Sequence, residues 1–146
     1  MTKVGTPFRP ELSKKNPYYI PSHRFYELKH RCLLYYQYKK WLKDLDLLYK
    51  HWFMVIRKDG STWSKDPTGD AAVMRGRLTS RIEAVEKACE EADPSIAKYL
   101  LIGITEGASY EVIRVRYDIP CSRDYYYARY HKVFWLLHMW DLKGIA

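Results

Sequence analysis

The sequence predicts an all-α fold, a bundle of about five helices that ends in a C-terminal helix-turn-helix. Three observations lead there. Apolar residues return at steps of three and four along most of the chain, the pattern of a helix with one buried face. Serine, aspartate and glycine stand where helices start and stop. Strand-like patterning is confined to one short stretch, 53–64. The composition agrees: 146 residues, 47% of them hydrophobic and 16% aromatic, suit one compact domain with a packed core and exclude a disordered chain. No apolar run approaches the ~18 residues that span a bilayer. Charges and prolines occupy the place of a secretory core at the N-terminus, so a cytoplasmic location is expected.

Residues 1–21 read as a basic extended arm. Pro7, Pro10, Pro17 and Pro21 oppose helix, and Lys3, Arg9, Lys14 and Lys15 supply charge. Phe8, Tyr18, Tyr19 and Ile20 give the arm apolar groups with which to dock. Residues 22–64 form an N-terminal helical region. Ser22, after Pro21, stands as the cap of its first helix. Phe25, Leu28, Cys32 and Tyr35 share one face, and Trp41, Leu45, Leu48 and Trp52 continue at helical steps. Neither Gly nor Pro interrupts 22–55, so one long helix and two abutting helices are both open. Asp59-Gly60 between apolar runs makes a small β-hairpin the alternative to a loop near 53–64. Residues 65–70 (Lys-Asp-Pro-Thr-Gly-Asp) read as a linker.

The region 71–146 is again helical. Asp70 stands to cap a helix whose stripe is Leu78, Ile82, Val85 and Cys89. In it Arg75, Arg77 and Arg81 precede Glu83, Glu86, Glu90 and Glu91. That order opposes the helix dipole, which favours acids first and bases last. A partner and a solvated face are the two readings of those arginines. Asp93-Pro94 reads as an N-cap followed by the first helical residue. The helix that follows holds Ile96, Tyr99, Leu100 and Ile104, and Gly107 ends it. Ser109 caps a short helix with Tyr110, Ile113 and Tyr117 on one side and Arg114 on the other. Ile119-Pro120-Cys121 is a turn. Ser122 caps the last helix, which runs to about Leu142 and is closed by Gly144.

The chemistry-bearing residues argue against an enzyme. Cys32, Cys89 and Cys121 are an odd, widely spaced set, which reads as free thiols in a reducing compartment. The five histidines fall at no metal-ligand spacing from a cysteine. There is no glycine-rich phosphate loop, nucleophile elbow or carboxylate pair. No catalytic residue, metal or cofactor is therefore expected.

The C-terminal spacing carries the functional expectation. Ile113 is the inward anchor of the short helix, Ile119 is the apolar turn residue, and Ser122 opens the second helix. On a wheel, Tyr126, Tyr130, Val133, Leu137 and Trp140 face the core. Asp124, Tyr127, Ala128 and His131 face away, flanked by Arg123, Arg129 and Lys132. With Arg114 they form the candidate DNA-binding set, small and polar groups edged by cations. This stretch, Ser109-Tyr110-Glu111-Val112-Ile113 through Ile119 to Leu137, resembles sigma-factor region four. It is most similar to the ArpU-type late transcriptional regulators of phages of Gram-positive bacteria. The likeness spans roughly residues 94–142, and Tyr18 to Lys29 is also similar to proteins of such phages. It implies a helix-turn-helix regulator of transcription, with double-stranded DNA and host RNA polymerase as partners.

Charge qualifies that expectation. The formal net charge is +8, and residues 1–50 hold 11 Lys plus Arg against 4 Asp plus Glu. Residues 101–146 hold 6 against 5. Phosphate contact dominates affinity for DNA, so the basic N-terminal half is the expected grip, through Lys14, Lys15, Arg24, Arg31, Lys39, Lys40 and Lys43. A second reading belongs to another class. A small basic chain rich in aromatics also suits a phage-encoded inhibitor docking onto a host nuclease complex, in the manner of an anti-CRISPR. Tyr125, Tyr126 and Tyr127 cannot all point inward on one helix. Trp135 lies opposite the apolar stripe, where either the N-terminal helices or a homodimer partner would cover it.

Overall fold

The protein is described by a computed structural model covering residues 13–45, 47 and 67–144. Among the described residues the regular elements are all helices. The hairpin expected near 53–64, and Leu48 and Trp52 before it, lie outside them, as do residues 1–12.

Residues 13–19 turn instead of extending. Asn16 N–H donates to the Ser13 carbonyl (2.8 Å), and the Asn16 side chain accepts from Tyr18 N–H (2.9 Å). These are the local side-chain turns that Asn and Ser favour over an extended arm. Ile20 is buried, and the Tyr18 ring packs edge-on against Trp135 at 5.4 Å.

Helix α1 is Ser22–Leu33. Its N-cap is Pro21, not Ser22, and no side chain caps it; the Pro21 carbonyl accepts directly from Phe25 N–H at 2.9 Å. Phe25, Leu28 and Cys32 are fully buried, as the spacing predicts. A turn at Leu34 separates α1 from α2, described over 35–45. The buried face of α2 is Tyr35, Tyr38 and Leu45, with Leu42 half-buried, while Trp41 is 46% exposed. Trp41 lies off the stripe that Tyr35, Tyr38, Leu42 and Leu45 form, and so faces outward.

Helix α3, Pro67–Ala92, is roughly 39 Å long at 1.5 Å per residue. It begins inside the expected linker, with Pro67 at a first-turn position where its missing N–H is harmless. Asp70 is thus a first-turn residue of the helix and not its cap. Ile82, Val85 and Cys89 are buried as expected, joined by Ala88 and Ala92. Helix α4, Ala97–Glu106, starts three residues later than the Asp93-Pro94 signal implies. Asp93 instead folds the α3–α4 turn, accepting from the backbone N–H of Ser95 (2.9 Å) and from its hydroxyl (2.5 Å). Gly107 ends α4 at φ 71°, the left-handed conformation that glycine takes without strain.

Helix α5 is Tyr110–Tyr117 and helix α6 is Arg123–Leu142. The long α6 lies at the centre. It packs on α3 and α4 along one flank and on α1 along another. Phe25 of α1 reaches Tyr130, His131 and Phe134 of α6. Trp135 is therefore covered from within the chain by Tyr18. Each large side chain buried in this core contributes about 1.5–3 kcal/mol. At Gly103 the α4 backbone meets the ring of Tyr126, an approach that a side chain at 103 would block.

Candidate nucleic-acid interface

The α5–α6 corner is held from both helices. The Ser109 side chain accepts from Val112 N–H at the start of α5 (3.4 Å), and Ser122 accepts from Tyr125 N–H at the start of α6 (3.2 Å). Asp118 ends α5 at φ 54°, which aspartate tolerates better than most residues. Ile113 and Ile119 are buried beneath the corner. Tyr110 donates its hydroxyl hydrogen to the Cys121 carbonyl (2.5 Å), and its backbone N–H donates to the Tyr127 hydroxyl (3.2 Å).

The residues expected to meet DNA divide into three groups. Asp124, Ala128 and Arg114 are exposed. Arg123, Arg129 and Lys132 are half-buried and engaged within the chain. Arg123 pairs with Glu111 at 3.1 Å and lies over the Tyr127 ring. Arg129 stacks on Tyr125, 4.9 Å from its centroid, and faces Asp93 at 3.6 Å. Lys132 lies 5.8 Å from the Tyr18 ring centroid. Tyr127 is half-buried in the corner, with its ring against Tyr126 and Tyr130.

His131 departs from expectation altogether. It is 6% exposed, packed between Phe25 and Tyr130, and cannot reach a groove. Burial pushes its pKa down from 6.5 to about 4. The wheel assumed one buried face, whereas α1 covers a second side of α6. A helix enclosed on several sides has no free back.

The N-terminal set divides too. Lys14, Lys15, Lys39, Lys40 and Lys43 are exposed. Arg24 and Arg31 instead converge on Asp141 near the end of α6, at 2.5 Å and 2.9 Å. Arg24 also donates through Nε to His138 Nδ1 (3.0 Å) and pairs with Glu27. Burial alone would raise the Asp141 pKa, but hydrogen bonds from Arg31 and Arg24 outweigh it and hold the carboxyl below its ordinary range. These arginines tie α1 to α6, a structural post and not a phosphate grip.

Sequence reasoning missed the acids that engage the arginines. Asp93 is buried and receives hydrogen bonds from Ser95 and Tyr125, which lower its pKa, with Arg129 adding to the effect. Its position before Pro94 hid this role behind a helix-start signal. Asp141 and Glu111 lie 110 and 12 residues from their arginines, and no local pattern announces such pairs.

Between the α3–α4 and α5–α6 turns lies an open cleft of about 470 Å³, lined by Ser95, Ile96, Pro120, Cys121, Ser122 and Tyr125. Among the described residues no cluster of His, Cys, Asp or Glu has a metal-binding arrangement, and no helix is long and apolar enough to cross a membrane. No protein-family model, curated protein or solved structure matches the chain.

Proposed function

We propose that the chain is a DNA-binding regulator that reads duplex DNA through α5 and α6 acting as a helix-turn-helix, as its resemblance to phage late regulators implies. The observation that carries this reading is the braced α5–α6 corner. Both helices start on a serine cap, Ile113 and Ile119 anchor the pair, and the first turns of α6 present Asp124 and Ala128 to solvent. A recognition helix needs this combination of rigid seating and an uncovered N-terminal face. Arg114, exposed on α5, supplies a cation beside it. Arg123 and Arg129 serve first to seat the helix, so their removal tests the scaffold as much as binding to DNA.

Selection from a pool of random duplexes tests the reading. The expected result is an enriched sequence that the protein prefers over random duplex, with a two-fold symmetric site if it binds as a dimer. Ala128→Glu places a carboxylate on the exposed face and is expected to abolish that preference. Each good base contact discriminates by about 1–3 kcal/mol. A pool that stays random, or a chain that captures a host nuclease complex and shifts no duplex, would sink the assignment.

A further inference from the structure

The stripe of α6 that the corner turns outward is open over its first two turns and covered after them. At about 100° per residue, Asp124, Ala128, Lys132 and Trp135 fall within a sector of about 80°. Asp124 and Ala128 are exposed. Further along, the Tyr18 ring packs on Trp135 at 5.4 Å, and the Lys132 ammonium lies 5.8 Å from the centroid of the same ring. His131, on the edge of the stripe, is buried against Phe25. A groove can therefore admit the first two turns of α6 and no more.

The polar groups beside this open pair are engaged within the chain. Arg123 meets Glu111 at 3.1 Å and lies over the Tyr127 ring. Arg129 stacks on Tyr125 and faces Asp93, and the Tyr125 hydroxyl donates to Asp93 as well. What the first two turns hold out to a groove is thus a carboxylate and, one turn on, a methyl group. The cations that commonly read guanine are turned to other work.

Those two groups carry a base preference. An ionised carboxylate only accepts hydrogen bonds. In the major groove guanine offers two acceptors, O6 and N7, which a carboxylate repels. Adenine sets its N6 amino donor beside the acceptor N7, a pattern that suits an amide, whereas cytosine offers the N4 amino donor alone. The Ala128 methyl suits the C5 methyl of thymine. Four residues of helix rise about 6 Å, close to two base pairs at ~3.4 Å each. An acid in the first turn also suits the helix dipole, but that role does not depend on the face from which it acts. We propose that Asp124 selects cytosine through its N4 amino group and that Ala128 contacts a thymine methyl about two base pairs away. The proposal rests on the α5–α6 reading and assigns the bases that it recognises.

The test runs the selection from random duplexes on the full chain and on its Asp124→Asn variant, then measures affinities for the enriched duplexes by fluorescence anisotropy. The parent should enrich a C·G pair with a T·A pair about two base pairs from it. Asparagine both donates and accepts, and so pairs with adenine N6 and N7. Asp124→Asn should therefore change the preferred C·G pair to A·T by at least about fivefold and keep the T·A pair. Deoxyuridine in place of that thymine removes only the methyl group, and should weaken binding by the unaltered protein about fourfold. If Asp124 serves the helix dipole alone, Asp124→Asn changes affinity for all duplexes equally. That result, an enriched site without the C·G pair, or equal affinity for the deoxyuridine duplex would overturn this inference and leave the α5–α6 reading standing. A pool that stays random with the parent would overturn both.

Discussion

Gly103 and Tyr126 should behave as one unit. Gly103 lies mid-α4 and is buried, and a methyl group there would stand 3.1 Å from Ile113 Cδ1 and 3.3 Å from Tyr126 Cζ, with the Tyr126 hydroxyl closer still. That hydroxyl is fully buried and has no hydrogen-bond partner. Gly103→Ala gains about 1 kcal/mol of helix propensity. It also forces a ring that is 0% exposed to move, and overpacking of this kind costs about 1–3 kcal/mol or more. A net destabilisation of roughly 2 kcal/mol is expected. Tyr126→Phe removes the nearest clashing atom and an unsatisfied polar group, whose burial costs about 1–3 kcal/mol. It should leave stability unchanged or raise it. In the double variant the nearest remaining atoms are Ile113 Cδ1 and the ring carbon, so most of the Gly103→Ala destabilisation should be recovered. Urea denaturation of the four proteins should give a coupling of about 1–2 kcal/mol, within the range of contacting residues. Additivity to within about 0.5 kcal/mol, or a Tyr126→Phe variant markedly less stable than its parent, would refute the packing argument.

Other regions give independent tests. His131 has a folded pKa of about 4 against about 6.5 when unfolded. Its contribution is therefore complete above pH ~6.5 and lost as pH falls through 4, a fall of about 3 kcal/mol. Urea titrations at several pH values should show that acid sensitivity, and His131→Leu should remove most of it. His138 adds in the same direction: burial and the neighbouring Arg24 lower its pKa, and its Nδ1 can accept from Arg24 only while neutral. Asp141→Asn leaves Arg24 and Arg31 without their shared carboxylate and should cost about 2 kcal/mol by denaturation, less than the 3–5 of a fully buried pair. Burial raises the pKa of all three thiols, that of Cys32 to about 12, but Cys121 alone is half-exposed and borders the open cleft. A thiol reagent should modify Cys121 in the native protein and the other two only on unfolding; native modification of all three would contradict the burial. Arg129→Ala should lower the melting temperature by loosening the α3–α4 turn, with a cost of about 1 kcal/mol.

The helical class was legible because its signals are local. Phe25, Leu28 and Cys32 announce the buried face of α1 and Tyr35 that of α2, and Ser109, Gly107 and Ser122 mark real helix ends. Signals that compete locally misled. Asp93-Pro94 has the form of a helix start, but the Asp93 side chain is satisfied by Ser95 and Tyr125 and folds a turn. Tertiary context was illegible for a different reason. His131 faces away from one core stripe of α6, and only the placement of α1 shows that this side is buried too. Arg24 and Arg31 look like surface cations until Asp141, more than a hundred residues on, is brought beside them. Tyr18 reads in sequence as a group with which the arm can dock, but only the fold shows that it meets Trp135.

The same distinction decides what the charge surplus means. A total of +8 is silent about which cations share a surface. The fold answers Arg24 and Arg31 with Asp141, Arg123 with Glu111, and Arg129 with Asp93. Those arginines lie nearest the helix expected to read DNA, and their positive charge is largely balanced where they stand. The lysines of the basic N-terminal half, Lys14, Lys15, Lys39, Lys40 and Lys43, stand exposed instead. An arginine paired with a carboxylate uses its charge within the fold, whereas an exposed lysine keeps its charge toward solvent or a partner. Phosphate affinity depends on cations that can act on one strand together and release its counterions. By that criterion the proposed DNA reading asks its grip of the exposed lysines, while the arginines around α6 give the corner its rigidity.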